Sequence, residues 1–354
     1  DRVMGSLRQT GAQLAMTGAT AEYPQPDHAV LNGLRAPRMI DGSPMPEPFQ
    51  PQNLLASLRP LAAAISLSPA EQAYRQFYGF TDALAARSRM GWLPAGGYQI
   101  AVQAWWPEQP RATLVLLHGY YDHVGLYRHV IEWALGQCFA VLAFDLPGHG
   151  LSSGARASIG DFAEYQTVLQ ALLAEAAVLD LPQPWHLCGQ STGGAIILDY
   201  VLRGEPVAPM GEIILLAPLV RPRAWGWSQL SYRVMRNFVR EIPRRFSVNS
   251  SDAAFIDFVH HHDPLQPRCL PTAWVGALSQ WVPRIEAAPR SLRSPLIVQG
   301  GADMTVAWRH NLKVLQDKFV EPTILMLDSA GHHLANEAPA LRQRYFEFLS
   351  QHLG

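Results

Sequence analysis

The sequence predicts an α/β protein: a mostly parallel sheet covered by helices on both faces and interrupted by one mostly helical insertion. Three observations carry this reading. Short runs at 112–117, 139–144, 185–188, 212–218 and 295–300 are apolar almost throughout, which suits strands buried on both faces rather than strands with one wet face. Helical stretches alternate with these runs, the arrangement that parallel crossovers require. The alternation then stops between 219 and about 290, where helical stretches, Trp225, Trp227, Trp274, Trp281 and many Arg replace it, and resumes afterwards.

Composition narrows the class. Of 354 residues 48% are hydrophobic and 16% charged, with a net charge of −1. That is enough apolar material for one large domain or two ordinary ones, and no global charge draws the chain to nucleic acid. Cys138, Cys188 and Cys269 are odd in number and unpaired in spacing, which argues against a disulfide framework or structural zinc. No apolar run approaches the roughly 18 residues of a membrane-spanning helix. The chain begins at Asp1 rather than Met, from which removal of a leading segment is expected. A cytoplasmic or a peripheral membrane location fits equally.

Taken in order, residues 1–68 read as a Pro-rich N-terminal extension. Pro24, Pro26, Pro37, Pro44, Pro46, Pro48 and Pro51 leave little periodicity, so an extended arm is expected. Its last part, 54–67, is apolar but broken by Arg59 and Pro60, which favours docking on the core over a membrane-proximal linker. Ser68-Pro69-Ala70-Glu71 is a capping box with Pro at the first helical position, and the helix is expected to run to about Arg87. Residues 98–105 alternate loosely, as an outer strand would. The runs at 112–117 and 139–144 are central strands, separated by a helix over 126–135, and a helix follows over 161–179. A strand, the turn Gly189-Gln190-Ser191-Thr192-Gly193-Gly194 and a buried helix come next, then the strand at 212–218. After the insertion come the strand at 295–300, a helix near 308–319, a strand at 322–327 and a last helix over 336–349. The expected organisation is a core of 69–218 and 291–354 with a helical cap of 219–290.

Ser191 between glycines, on a turn from strand to helix, has the context of a nucleophile elbow. Such a Ser needs a base, a group to orient that base, and donors for the oxyanion. Among 13 His, His118 and His149 sit beside turn glycines and read as structural. The run His260-His261-His262 cannot turn all three rings to one metal from regular structure. His332 follows a strand and precedes a helix, which places it at the same sheet end as Ser191; His333 is its competitor. For the orienting acid, Asp303 follows the strand at 295–300. Asp328 is the runner-up, so close to His332 that it suits shaping the turn. The oxyanion donors expected are the backbone N–H of Thr192 and that of Tyr120, in the loop after 112–117.

These segments resemble, in order, five motifs of one branch of the α/β-hydrolases, the monoacylglycerol lipase and lysophospholipase branch of serine aminopeptidase S33 type. They are His118-Gly119-Tyr120-Tyr121-Asp122-His123 with Tyr127, Asp145-Leu146-Pro147-Gly148-His149-Gly150-Leu151-Ser152, the Ser191 elbow, Gly301-Ala302-Asp303-Met304-Thr305-Val306, and Gly331-His332-His333-Leu334-Ala335-Asn336-Glu337. Two positions depart from the usual pattern: Gln190 stands where His or another polar residue is common, and His333 stands in the place of a Glu. The match spans roughly 85–354. It implies a serine ester hydrolase acting on monoacylglycerol, lysophospholipid or simple carboxylester through an acyl-enzyme, with Ser191, His332 and Asp303 as the triad and no metal or cofactor. Two alternatives remain on the same sequence: a cofactor-free perhydrolase or acyltransferase, separable by product analysis, and a catalytically silent ligand-binding homologue, separable by fluorophosphonate labelling of Ser191.

The cap carries a further expectation. Arg221, Arg223, Arg233, Arg236, Arg240, Arg244 and Arg245 stand against the single acid Glu241, with Trp225, Trp227, Tyr232 and Phe238 interleaved. Either this face makes peripheral contact with an anionic lipid surface, or its aromatics pack on the body and its Arg stems cover apolar surface.

Overall fold

The computed structural model describes residues 49–354, except residue 82 and residues 205–209. The expected extended arm before residue 49 lies outside the described residues. Phe49 is buried against Tyr74, Phe77 and Tyr78, with ring centroids 5.3–5.7 Å apart. Helix α1 (Pro51–Ser57) and a short 3-10 turn follow, burying Leu54 and Leu61. Helix α2 (Pro69–Phe77) starts at the expected capping box, in which Ser68 N–H donates to Glu71 Oε2 (2.5 Å) and Glu71 N–H to Ser68 Oγ (3.3 Å).

This helix ends ten residues before the expected Arg87. Gly79 adopts φ +72°, which stops a right-handed helix cheaply. The chain then forms a strand that sequence reasoning missed, β1 (Arg87–Ala95), paired antiparallel with β2 (Tyr98–Trp106) across a Gly96-Gly97 turn in which both φ are positive. A two-glycine turn of this kind is a hairpin signal. The strand itself hides because it lies at the sheet edge, where Arg87, Arg89 and Pro94 are tolerated.

The remaining strands of the main sheet are β3 (Ala112–Leu117), β4 (Phe139–Phe144), β5 (Trp185–Gln190), β6 (Met210–Leu216), β9 (Leu296–Gly300) and β10 (Thr323–Leu327). The eight-stranded order is β1-β2-β4-β3-β5-β6-β9-β10. From β4 to β10 every pairing is parallel. Crossovers run through α3 (Arg128–Gly136), α4 (Phe162–Val178), α5 (Thr192–Arg203) and α9 (Trp308–Lys318), and α10 (Pro339–His352) closes the chain. Each central strand feeds two cores: Val115 and Leu117 pack into one, Leu114 and Leu116 into the other.

The insertion holds α6 (Trp225–Met235), α7 (Ala253–Asp257) and α8 (Thr272–Glu286), and also two strands that were not expected, β7 (Glu241–Pro243) and β8 (Cys269–Pro271), paired antiparallel. Three residues per strand are too few to show alternation, so this ribbon left no pattern. Helix α8 packs the insertion against α4: Trp281 is fully buried and stacks on Phe162 at 4.8 Å. Among the described residues no helix is long and apolar enough to cross a membrane.

Candidate active site

Ser191 joins β5 to α5 with φ 51° and ψ −110°, a strained conformation costing about 1–3 kcal/mol for a side chain that is not Gly. The turn holds it there: Ser191 N–H donates to Leu216 O (2.9 Å), and Ser191 O accepts from Ala195 N–H (2.9 Å) and Leu219 N–H (3.2 Å). The flanking glycines are required by close approach. A Cβ on Gly193 would sit 2.2 Å from Leu117 O, and one on Gly189 would sit 2.4 Å from the Gly193 carbonyl carbon.

The structure brings Ser191, His332 and Asp303 into one hydrogen-bonded line. Ser191 Oγ lies 2.9 Å from His332 Nε2, and His332 Nδ1 lies 2.7 Å from Asp303 Oδ2. All three residues are buried. An ionised carboxylate only accepts, so Nδ1 carries the proton and Nε2 is left free to accept from the hydroxyl. Burial works against the charge on Asp303. His332 beside it and the N–H groups of Thr305 (2.8 Å) and Val306 (3.2 Å) outweigh burial and hold its carboxyl below the ordinary carboxylate range. Gln299 Nε2 also donates to Asp303 Oδ2 (3.1 Å). Asp328 is exposed and takes no part in this line. His333 is buried beside Asp122, with Nε2 3.2 Å from Asp122 Oδ2.

The Tyr120 and Thr192 N–H groups have no hydrogen-bond partner among the described residues. The Gly119–Tyr120 peptide is trans, so the Tyr120 N–H points opposite to the Gly119 carbonyl. That carbonyl is held by His118 Nδ1 (2.7 Å) and Asp122 N–H (3.2 Å). His118 Nε2 accepts from Leu146 N–H (2.8 Å), which leaves Nδ1 as the donor. Burial pulls the His118 pKa down to about 3 and that of His149 to about 4, so both rings are neutral near pH 7, in keeping with the structural reading of these two. Asp145, heading the second motif, accepts from Val124 N–H (2.7 Å) and Leu151 N–H (2.8 Å) and so shapes its loop.

These groups open into a cavity of about 450 Å³, walled by Tyr121, Leu219, Phe255, Val259, Leu270 and Trp274. The insertion supplies the last five, and Trp274 stacks on Tyr120 at 3.8 Å. Sequence reasoning missed the residues that join the loops. Gln190 Oε1 accepts from Ala335 N–H (2.9 Å), and Asn249 O accepts from both His332 N–H (2.9 Å) and His333 N–H (2.8 Å). Gln190 was visible as a departure from the motif; Asn249, acting through its backbone, leaves no side-chain signal.

Comparison with known proteins identifies the family. The profile of the family described as serine aminopeptidase, S33 matches residues 108–339. A monoacylglycerol lipase of Mycolicibacterium smegmatis is 34% identical over 232 residues, covering 61% of this chain and 79% of that protein. The Homo sapiens monoglyceride lipase is 28% identical over 264 residues, covering 71% and 86%. Among solved structures, a soluble variant of the monoglyceride lipase from Saccharomyces cerevisiae, in complex with a substrate analog, superposes with a TM-score of 0.64 at 18% identity, covering 74% of this chain and 93% of that one; this likeness speaks for the fold. The chain belongs to the serine aminopeptidase S33 family, in its monoacylglycerol lipase-like branch, and is a carboxylic ester hydrolase on the α/β-hydrolase fold.

Proposed function

We propose that the chain hydrolyses monoacylglycerol-type acyl esters through an acyl-enzyme on Ser191. The observation that carries this reading is the Asp303–His332–Ser191 line opening into an apolar, aromatic cavity. His332 Nε2 takes the Ser191 proton as Oγ bonds to the ester carbonyl carbon. The Tyr120 and Thr192 N–H groups receive the oxyanion. The carbon–oxygen bond to the alcohol breaks, and His332 returns the proton to the departing alkoxide. Water, deprotonated by His332, then attacks the acyl-enzyme, and the carboxylic acid leaves with Ser191 restored. In this reading 69–218 and 291–354 form the catalytic core, and the cap of 219–290 roofs an acyl pocket.

The test is hydrolysis of monoacylglycerols from short to long acyl chains, with lysophospholipids in parallel and product analysis of each. Preference for monoacylglycerol with free acid as product is expected. Preference for lysophospholipid at every chain length overturns the substrate assignment. Dominant transfer to a second alcohol or to peroxide overturns hydrolysis.

The cap supports a second element of the proposal, contact with an anionic lipid surface. Trp227 (72%), Leu230 (51%), Val234 (65%) and Phe238 (87%) stand exposed on or just after α6, among the exposed Arg233, Arg236 and Arg240. Half-burying a large apolar side chain is worth about 1 kcal/mol, so replacing Trp227 and Phe238 with Ser is expected to weaken binding to anionic vesicles by about tenfold or more. Hydrolysis of a short soluble ester should stay unchanged. Vesicle sedimentation checks this, and equal partitioning of both proteins would sink it.

A further inference from the structure

The oxyanion loop is tethered by a buried chain of polar groups that the hydrolytic steps above do not use. Gly119 N–H donates to Tyr127 Oη (2.9 Å), and Tyr127 Oη–H donates to Asp122 Oδ2 (2.8 Å). Tyr127 and Asp122 are both buried, at 0% and 8% exposure. Asp122 N–H closes the loop back onto Gly119 O (3.2 Å). Between them Tyr121 is held at φ 71°, a conformation that a bulky residue keeps only where its surroundings impose it. Gly119 is therefore gripped on both sides, its N–H through Tyr127 and its carbonyl through Asp122 and His118. The peptide whose carbonyl is held in this way carries the unpartnered Tyr120 N–H.

The same carboxylate reaches the other half of the site. His333 Nε2 stands 3.2 Å from Asp122 Oδ2, a close contact outside hydrogen-bond alignment. His333 is the chain neighbour of His332, and both are held by Asn249 O. Burial alone would raise the Asp122 pKa; His333 and the Tyr127 hydroxyl hold it well below the usual carboxylate range. A charged acceptor strengthens the Tyr127 hydrogen bond. It also leaves the Tyr127 oxygen lone pairs to Gly119 N–H, since the phenol has only one proton to give.

We propose that Asp122 is a positioning residue for the reaction: through Tyr127 and Gly119 it sets the peptide whose Tyr120 N–H receives the oxyanion, and through His333 it ties that peptide to the His332 loop. This rests on the serine-hydrolase reading of the site. Asp122 acts through other groups, so its loss should weaken transition-state binding and leave ground-state binding alone.

The experiment uses the full chain with a short p-nitrophenyl ester and a trifluoromethyl ketone of the same acyl length, which forms an oxyanion adduct on Ser191. Removing an oxyanion donor outright costs about 100- to 1000-fold, so misplacing one in Asp122→Ala is expected to lower kcat by about 10- to 100-fold. KM should stay within about twofold, and the ketone should lose affinity by the same factor as kcat. Tyr127→Phe should match this loss, and the double variant should be no worse than the worse single one, because both cut one chain. The isosteric Asp122→Asn, which keeps a weaker acceptor, should fall in between and carries the test should the Ala variant fail to fold. Folded variants with kcat and ketone affinity near wild type would overturn the proposal, as would losses that add in the double variant or appear in KM alone. Fluorophosphonate labelling separates the two levels. A wild type that is neither labelled at Ser191 nor active sinks the hydrolase reading and this proposal with it. A labelled, active wild type beside unaffected Asp122 variants sinks this proposal alone.

Discussion

Ser191→Ala is expected to lower kcat on a soluble p-nitrophenyl ester by about 10⁵- to 10⁶-fold, with KM little changed. The size follows from the geometry. His332 Nε2 has one partner toward the cavity, the Ser191 hydroxyl at 2.9 Å. In the proposed mechanism the loss of Oγ abolishes the acyl-enzyme, and only donors such as the Tyr120 and Thr192 N–H groups remain to act on a water attack. Such a residue typically retains about 10³- to 10⁴-fold over the uncatalysed reaction. The variant should fold, because Ala at φ 51° only loses the hydroxyl oxygen and adds no heavy atom. A urea midpoint close to wild type checks this, and loss of fluorophosphonate labelling identifies the position. Retention of more than about a hundredth of wild-type kcat would show that the nucleophile lies elsewhere.

Asp303→Asn is expected to cost about 10⁴-fold in kcat, through the tautomer of His332 rather than through loss of shape. Asp303 Oδ1 accepts from Thr305 N–H and Val306 N–H, so an Asn at this position keeps its carbonyl oxygen there. Its amide nitrogen then takes the place of Oδ2, facing His332 Nδ1 and the Gln299 Nε2 donor. Two donors meet at Gln299, and His332 must offer a lone pair at Nδ1. Its proton moves to Nε2, which no longer accepts from Ser191. Asp328→Asn, on an exposed side chain, should stay within about twofold of wild type because it alters no contact of the line. Stopped-flow or steady-state kcat on the same ester decides, and an Asp303→Asn enzyme within about tenfold of wild type would remove Asp303 from the mechanism. The variant should also change acid stability. The Asp303 carboxyl lies below its unfolded value, about 3.9. Its contribution is therefore present above that pH and lost as pH falls through the lower folded value. The stability gap between wild type and Asp303→Asn should narrow below about pH 4.

Much of the site was legible because its parts obey local rules. Gly189, Ser191 and Gly193 follow from one strained turn and the close approach of backbone to it, which short spacing encodes directly. Buried parallel strands announce themselves by apolar runs, and Ser68 with Glu71 announces a helix start through hydrogen bonds spanning three residues. Asp303 and His332 were found by their place after strands, since parallel strands deliver their carboxyl-end loops to one edge of the sheet. The edge strand β1 was missed because its Arg87, Arg89 and Pro94 break the apolar run that marks a buried strand. The β7–β8 ribbon was invisible because three residues carry no period.

By itself, the sequence determined the parallel sheet, the turn from strand to helix at Ser191 and the place of Asp303 and His332 in loops after strands, because each rests on contacts within a few residues or on strand polarity. Tertiary structure alone decided which side chains of those loops meet. The meeting of Asp303 with His332, the seating of Trp274 on Tyr120 and the run from His333 through Asp122 and Tyr127 to Gly119 join residues from five to more than two hundred positions apart. Hydrogen bonds of that kind depend on distances of about 3 Å set by packing of the whole sheet, and no local pattern specifies them.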